Sequence, residues 1–269
     1  MEHNHRMELQ YDGTGLHGWA RQDGLPTVEG SLELALRTVL GFTPEVQVAG
    51  RTDAGVHARR QVASLHLPDD VDLGQLRASL NALTPPGIAV VAIVPVSSGF
   101  DARRDAIGRR YRYYLSTDSV ASPFWSRYSW HTPGGLDVDR LRATAAAVAG
   151  RHDFTAFTPT ETEHVFFERL VTHCVWRRAA GLPAAVPAGA GGSAPGGCGA
   201  GTLYLEIEAE AFLRHMVRTL VGTMLEVARG RRSLDDFRRL LRGAAREEAG
   251  PTAPAHGLFL WDVMYGHRR

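Results

Sequence analysis

The sequence predicts an α+β protein in which one order of elements occurs twice. Apolar residues that alternate, or that recur every three to four positions, give strand, helix, strand, strand, helix, strand in each half. This βαββαβ order is the split βαβ, ferredoxin-like pattern, which forms mainly antiparallel sheets. The 269 residues are 44% hydrophobic, enough for two small cores. We expect halves at 1–107 and 108–269, with sheets side by side around a central cleft.

In the first half, turn and capping residues mark where the elements begin and end. Asp12-Gly13 follow the first strand, and Thr27 is a suitable N-cap for a helix that stops at Gly41. Pro85-Pro86 end the second helix. The predicted elements are a strand over 7–11, a helix over 28–40, strands over 46–49 and 61–67, a helix over 73–83 and a strand over 88–96.

The second half repeats this order around an unusual insertion. Residues 179–201 are almost entirely Ala, Gly and Pro, which predicts a loop or hairpin extension. Phe212, Met216 and Leu220 recur on one helical face and are expected in the core. The predicted elements are a strand over 110–116, a helix over 137–149, strands over 170–177 and 203–209, helices over 212–228 and 234–241, and a strand over 257–265.

Composition excludes several classes of protein. No apolar run approaches the roughly 18 residues that span a bilayer, and the N-terminus lacks the apolar core of a secretory signal. The two cysteines, Cys174 and Cys198, are too few for a disulfide framework or a four-cysteine zinc site. No His-Glu-x-x-His motif or nucleophile elbow occurs. We expect a soluble, cytoplasmic protein without a metal.

All 30 basic residues are arginines, although the formal net charge is only +1. GC-rich codon usage accounts for the absence of lysine, but the arginines also cluster. Positions 101–112 contain five arginines and two aspartates, and positions 214–246 contain nine arginines and three acidic residues. Ordinary solvated helix faces would fit this pattern. We predict instead a surface that binds phosphates.

Gly13-Thr-Gly-Leu-His-Gly18 matches the G-x-G-x-x-G spacing of dinucleotide-binding loops. Such a site needs a helix that begins at the glycines, so that its N-terminus meets the pyrophosphate. Gly24 and Pro26 follow too closely for a regular helix. The sequence therefore predicts a loop here, and no nucleotide cofactor.

The most informative segment is Gly50-Arg-Thr-Asp-Ala-Gly-Val-His-Ala58, which follows a predicted strand. A turn flanked by glycines can aim one carboxylate into a cleft. An Arg-Thr-Asp turn by itself also fits an ordinary surface ion pair. The nonapeptide resembles, without a mismatch, the signature of the tRNA pseudouridine synthase A family. The resemblance implies that Asp53 is the catalytic residue and that Arg51 assists flipping of the target base.

Further motifs carry the resemblance along nearly the whole chain. In Arg109-Arg-Tyr-Arg-Tyr113, alternation places Tyr111 and Tyr113 on one face of a strand and Arg110 and Arg112 on the other. A core aromatic face would explain this pattern equally well. The resemblance implies that Tyr111 stacks on the target base and that Arg110 contacts RNA.

The same resemblance covers the loop Gly18-Trp-Ala-Arg-Gln22 and the string Phe100-Asp-Ala-Arg103, which implies RNA contacts for Arg21 and Arg103. In His215-Met-Val-Arg218 it implies that Arg218 pairs with the catalytic aspartate, although Thr219 stands where the family commonly has asparagine. Gly257-Leu258 resembles the family's closing strand, whose leucine contacts the base. Asp153-Phe-Thr-Ala-Phe157 also matches a family string. The insertion at 179–201 is the main departure.

The resemblance implies a pseudouridine synthase fold with an RNA-binding cleft, and isomerisation of uridine to pseudouridine at positions 38–40 of the tRNA anticodon stem-loop. It also implies a homodimer. Such a reaction involves no redox change and no hydrolysis, which fits the expectation of no cofactor. Two alternatives remain: a C-nucleoside-forming enzyme acting on free uridine nucleotides, and a catalytically silent RNA-binding module.

Overall fold

The computed structural model describes residues 2–162, 164–179 and 201–266, so the low-complexity positions 180–200 lie outside the described residues. No helix within these ranges is long and apolar enough to cross a membrane. In chain order the elements are β1 (Glu2–Tyr11), α1 (Val28–Leu40), β2 (Gln47–Val48), β3 (His57–Pro68), α2 (Leu73–Leu83), β4 (Ile88–Pro95), β5 (Ala106–Ser116), β6 (Trp130–His131), α3 (Val138–Val148), β7 (Gly150–Asp153), β8 (Glu168–Arg178), β9 (Thr202–Ala209), α4 (Met216–Ala228), α5 (Leu234–Leu240) and β10 (Leu258–Tyr265).

The chain forms two compact units. The N-terminal unit combines residues 2–108 with residues from Phe259 onward, and the C-terminal unit lies within residues 109–258. The sequence analysis placed the whole chain after position 107 in the second half. The difference arises at β10, because this strand pairs in parallel with β3, as Phe259 opposite His57 and Leu260 opposite Ala58. A pairing between strands so far apart in the sequence is not visible in local periodicity.

The N-terminal unit contains a mixed sheet in the order β4-β1-β3-β10. β1 is antiparallel to both β3 and β4, and the short β2 pairs antiparallel with β3. Helices α1 and α2 each bury apolar residues of one face, among them Leu32 and Leu36 in α1 and Leu76 and Leu80 in α2. The bounds of both helices agree with the sequence prediction. Thr27 accepts from the Gly30 amide and Gly41 adopts the left-handed conformation, so both predicted caps of α1 are confirmed.

The C-terminal unit contains an antiparallel sheet in the order β5-β9-β8-β7, with β6 parallel to β5. Helix α3 packs on α4 and on β8. Phe154 and Phe157, from the string that matched the family, are fully buried, and Phe157 makes an edge contact with Phe237. The string therefore builds the core. An α+β architecture with mostly antiparallel strands is confirmed, whereas the ferredoxin-like description stays a prediction.

The predicted start of helix α4 is wrong by four residues. The helix begins at Met216, because His215 adopts a left-handed backbone with φ of 60°. Residues with a Cβ rarely occupy this region, so the periodicity gave no sign of the break. Met216 and Leu220 are fully buried as predicted, but Phe212 lies before the helix and is partly exposed.

Candidate active site

Asp53 lies in the connection between β2 and β3, on the turn that the nonapeptide forms. The Val56 amide donates to the Asp53 carbonyl at 3.1 Å, and Gly55 takes a φ of 76°, which glycine adopts without strain. Thr52 and Val56 are buried, whereas Asp53 is only half-buried. The turn therefore anchors its flanks in the core and leaves the carboxylate partly accessible.

Thr52 is anchored by a buried hydrogen-bond network. Its hydroxyl lies 2.8 Å from the Tyr11 hydroxyl, and the Gln61 amide donates to Tyr11 at 3.2 Å and to the Gly50 carbonyl at 2.7 Å. Either hydroxyl can be the donor in the bond between Tyr11 and Thr52. Burial raises the pKa of Tyr11 to about 12, which keeps its hydroxyl protonated. Tyr11 of β1 thus holds Thr52, the residue before Asp53, and Gln61 of β3 holds Tyr11 and Gly50.

The loop 13–18 supports the turn from a second side. The Trp19 amide donates to the Thr52 carbonyl at 3.0 Å, and the Gly55 amide donates to the Leu16 carbonyl at 3.1 Å. These two bonds bracket Asp53. The predicted absence of a helix at the glycine motif is confirmed, because the first helix among the described residues begins at Val28.

The glycine spacing in this loop has a packing reason. A Cβ on Gly13 would lie 2.3 Å from the Val56 carbonyl oxygen, and one on Gly18 would lie 2.6 Å from the Thr52 carbonyl oxygen. Gly18 also has a φ of 90°. Both glycines let two backbones approach closely, so the motif serves contact with the Asp53 turn.

The three arginines of the N-terminal unit with implied RNA contacts are all exposed. Arg51 precedes the turn, and Arg21 lies after the glycine loop, 3.4 Å from Glu33. Arg103 follows Asp101, whose carboxylate accepts from the Arg103 and Arg104 amides at 2.9 and 2.7 Å. These bonds, chiefly the one from the Arg104 amide, lower the pKa of Asp101. Asp101 therefore shapes the turn that presents Arg103.

In the C-terminal unit, Tyr111 lies on β5 and is 9% exposed. Its ring makes an edge contact with Phe212, with centroids 5.0 Å apart at 81°. Tyr113 is fully buried, and the predicted alternation of the strand is confirmed. Arg110 lies on the other face and pairs with Glu208 at 2.8 Å. An RNA contact by Arg110 would compete with this internal ion pair.

Arg218 lies on α4, and a backbone segment holds it in place. Its Nε donates to the Ala253 carbonyl at 2.8 Å, and the Ala253 amide donates to the Arg218 carbonyl at 3.1 Å. The next carbonyl, of Pro254, accepts from the Tyr113 hydroxyl at 2.8 Å. Burial raises the pKa of Tyr113, and the positive charge of Arg218 opposes that shift. Leu258 follows in the same segment and is 5% exposed.

The predicted site residues thus divide between the two units. Asp53, Arg51, Arg21 and Arg103 belong to the N-terminal unit. Tyr111, Arg110, Arg218 and Leu258 belong to the C-terminal unit. Pairing of Arg218 with Asp53 and stacking by Tyr111 stay predictions. Sequence reasoning missed that Tyr11, Gln61 and the loop 13–18 support the turn.

Many of the clustered arginines are paired with carboxylates of the protein itself. In the first cluster Arg112 pairs with Glu206 at 2.6 Å, beside the pair of Arg110 with Glu208. In the second cluster the pairs are Arg232 with Glu226 and Asp236, Arg238 with Asp235, and Arg239 with Asp236 and Glu248. The charge count along the sequence did not include Glu206 and Glu208, the acidic partners on β9. Exposed arginines such as Arg103, Arg214 and Arg231 remain candidates for phosphate contact.

Comparison with known proteins gives consistent matches. A family model described as tRNA pseudouridine synthase matches residues 144–266. The tRNA pseudouridine synthase A of Myxococcus xanthus is 38% identical over 260 residues, which cover 97% of this chain and 91% of that protein. The tRNA pseudouridine synthase A of Chlorobium chlorochromatii is also 38% identical, and the match covers 98% of that protein. That of Bacillus pumilus is 33% identical, with 96% of this chain and 97% of that protein covered.

Proposed function

Because the chain belongs to the tRNA pseudouridine synthase A family, and is therefore an isomerase of tRNA uridines, we propose that it acts at positions 38–40 of the anticodon stem-loop with Asp53 as the nucleophile. The observation that carries the proposal is the Asp53 turn. Backbone bonds to Thr52 and Gly55 hold it on both sides, and the carboxylate stays partly accessible. Rigid support of a reactive group is what precise chemistry on one sugar requires.

The reaction moves one base on one sugar. The bond between N1 of uracil and C1′ breaks, the base rotates, and a bond forms between C5 and C1′. C5 then loses its proton and N1, which carried the sugar, gains one, so atoms and electrons balance without an oxidant or reductant. A carboxylate can attack C1′ to hold the sugar as an ester, or can take a sugar proton in a glycal route. Asp53 is proposed for this role in either route.

The other predicted residues support this chemistry. Arg218 is proposed to pair with Asp53, since an opposite charge nearby keeps a carboxylate ionised. Its bond to the Ala253 carbonyl would orient the guanidinium for that pairing. A paired base is out of reach in a stem, so the uridine must leave the helix, and Arg51 is proposed to assist. Arg21, Arg103 and Arg110 are proposed to contact the RNA backbone, while Leu258 contacts the base.

The order of elements supports the proposed ferredoxin-like character of the two halves. In the N-terminal unit, β4-β1-β3 with β2 on the far side of β3 is the arrangement expected of a split βαβ unit. In the second half, β5, α3, β8, β9 and α4 follow the same order, with β10 as the expected last strand. The proposed location is the cytoplasm, because the substrate is tRNA. No cofactor is proposed.

One assay separates the proposed function from its alternatives. Purified protein is incubated with unmodified tRNA and, separately, with uridine monophosphate, and pseudouridine is then mapped by position. We expect product at one or more of positions 38–40 and none from the nucleotide. Product from the free nucleotide alone would indicate a C-nucleoside-forming enzyme. Binding of tRNA without product would indicate a silent RNA-binding module.

The Tyr111→Phe and Tyr111→Ala variants test whether this ring stacks or also transfers a proton. Stacking needs only the ring and contributes about 1–3 kcal/mol per base. We expect both roles, so the phenylalanine variant should bind tRNA well and turn over slowly. Bound tRNA in which the glycosidic bond of the target uridine is broken should accumulate. The alanine variant should lose activity. Tyr204→Phe, on β9, is the control and should keep activity. Full activity in Tyr111→Ala would make Tyr111 a core residue only.

We also propose a homodimer, because a tRNA is longer than the RNA-binding cleft proposed for one chain. Twofold pairing is the commonest form of oligomer. Light scattering at micromolar concentration should give about twice the 29.3 kDa mass of one chain. A monomeric mass from a fully active sample would contradict this proposal.

A further inference from the structure

His57 is the buried histidine that ends the Asp53 turn and begins β3. It is 1% exposed, and its ring stacks on Phe259 with centroids 4.5 Å apart at 23°. Phe259 also lies opposite His57 in the pairing of β10 with β3. The ring is therefore held both by its strand and by a neighbouring aromatic ring.

The ring nitrogen Nδ1 of His57 faces the glycine loop. The Gly13 amide lies 3.0 Å from Nδ1 in hydrogen-bond geometry, and Asp12 Oδ1 also lies 3.0 Å from it. Both contacts cannot be made at once, since the amide needs an unprotonated nitrogen and the carboxylate needs a protonated one. The amide bond is supported by direction as well as distance. Asp12 Oδ1 also accepts from the Thr14 amide at 2.9 Å. Nδ1 is therefore assigned as the acceptor, with the ring proton on Nε2.

The Gly13 bond is joined to the Asp53 turn through the backbone. Gly13 packs directly against Val56, where even a Cβ would come within 2.3 Å of the carbonyl oxygen. Three residues later, the Leu16 carbonyl accepts from the Gly55 amide at 3.1 Å. A shift of loop 13–18 would therefore move the backbone that presents Asp53.

We propose that His57 is a positioning residue for isomerisation: its unprotonated Nδ1 holds the Gly13 amide and thereby fixes loop 13–18 against the Asp53 turn. This inference rests on the proposed role of Asp53. A carboxylate displaced by as little as 1 Å from its reacting carbon loses about 10²-fold in rate. His57 does not touch the substrate in this role, so it governs the chemical step and leaves tRNA affinity unchanged.

Matched variants test the acceptor rather than the packing. In His57→Asn the side-chain oxygen stands on Cγ, as Nδ1 does, whereas in His57→Gln it stands one carbon further out. We expect the single-turnover rate to fall about 10- to 100-fold in the glutamine variant and in His57→Leu, and to recover largely in the asparagine variant. The Kd for tRNA should stay within about threefold, since the chemical step alone is affected. His66→Asn, an exposed histidine on the same strand, is the control.

The outcomes are distinguishable. If the wild-type protein makes no pseudouridine, the proposed function fails. If the wild type is active and the asparagine and glutamine variants are equally slow or equally fast, the positioning role of His57 is refuted. If the leucine variant does not fold, the comparison of the asparagine and glutamine variants still tests the positioning role of His57. A nitrogen-15 spectrum of the ring at the assay pH gives a second measurement, in which a protonated Nδ1 would also overturn the proposal.

Discussion

The Asp53→Asn variant should bind tRNA normally and form no measurable pseudouridine. The amide has nearly the shape of the carboxylate, so the turn keeps its backbone bonds to Leu16 and Trp19. It is neither a nucleophile nor a base, and removal of a catalytic group of this kind lowers rates by about 10⁴-fold or more. That loss equals about 5 kcal/mol of transition-state stabilisation.

The measurement is single-turnover formation of pseudouridine with enzyme in excess, together with a binding isotherm for the same tRNA. Asp70→Asn provides a control, because Asp70 is an exposed aspartate of the same unit. A rate within tenfold of the wild type in Asp53→Asn would remove Asp53 from the mechanism. Loss of tRNA binding in the same variant would instead assign Asp53 to RNA recognition.

The second large effect is expected at Gly222, in the middle of helix α4. Helix propensity alone predicts that alanine would stabilise this position by about 1 kcal/mol. A Cβ would, however, lie 1.8 Å from the Pro251 carbonyl oxygen. Overpacking of this kind costs about 1–3 kcal/mol and sometimes more, so the net effect should be destabilising. For a net loss of about 1–2 kcal/mol we expect the Tm of Gly222→Ala to fall by about 2–8 °C.

The same substitution should reduce activity beyond its effect on folding. Displacing Pro251 would move the adjoining Ala253, whose carbonyl holds the Arg218 guanidinium at 2.8 Å. Thermal denaturation and single-turnover rates of the folded variant measure the two effects separately. Gly135→Ala is the control in the same unit, because nothing lies within 4 Å of its Cβ position. An unchanged or raised Tm in Gly222→Ala would show that helix α4 and the segment around Pro251 can move apart without loss of stability.

Elements whose signals are local could be predicted from the sequence closely. Helix α1 begins after Thr27 and ends before Gly41 because its two caps are neighbours of the helix in the chain. Helix α2 ends before Pro85 for an equally local reason. Helix α4 was predicted four residues too long, since the left-handed His215 is held by the surrounding fold and leaves no trace in the periodicity.

The candidate site shows the same division. The nonapeptide around Asp53 is contiguous, so its turn and its resemblance could be read from the chain alone. Its supports could not. Tyr11 reaches Thr52 across 41 positions of sequence, Gln61 bonds Tyr11 across 50, and Gly13 reaches His57 across 44. Pairings at such separations depend on which strands become neighbours.

The sequence by itself determined the order of the longer elements, the caps of α1, the end of α2, and the turn that carries Asp53. Only the tertiary structure decided that Arg110 pairs with Glu208, that β10 joins the N-terminal unit, and that Gly13 and Gly18 serve backbone packing. The reason is physical. Backbone conformation and capping depend on residues a few positions apart, whereas ion pairs, strand pairing and close backbone approach are set by the packing of distant segments.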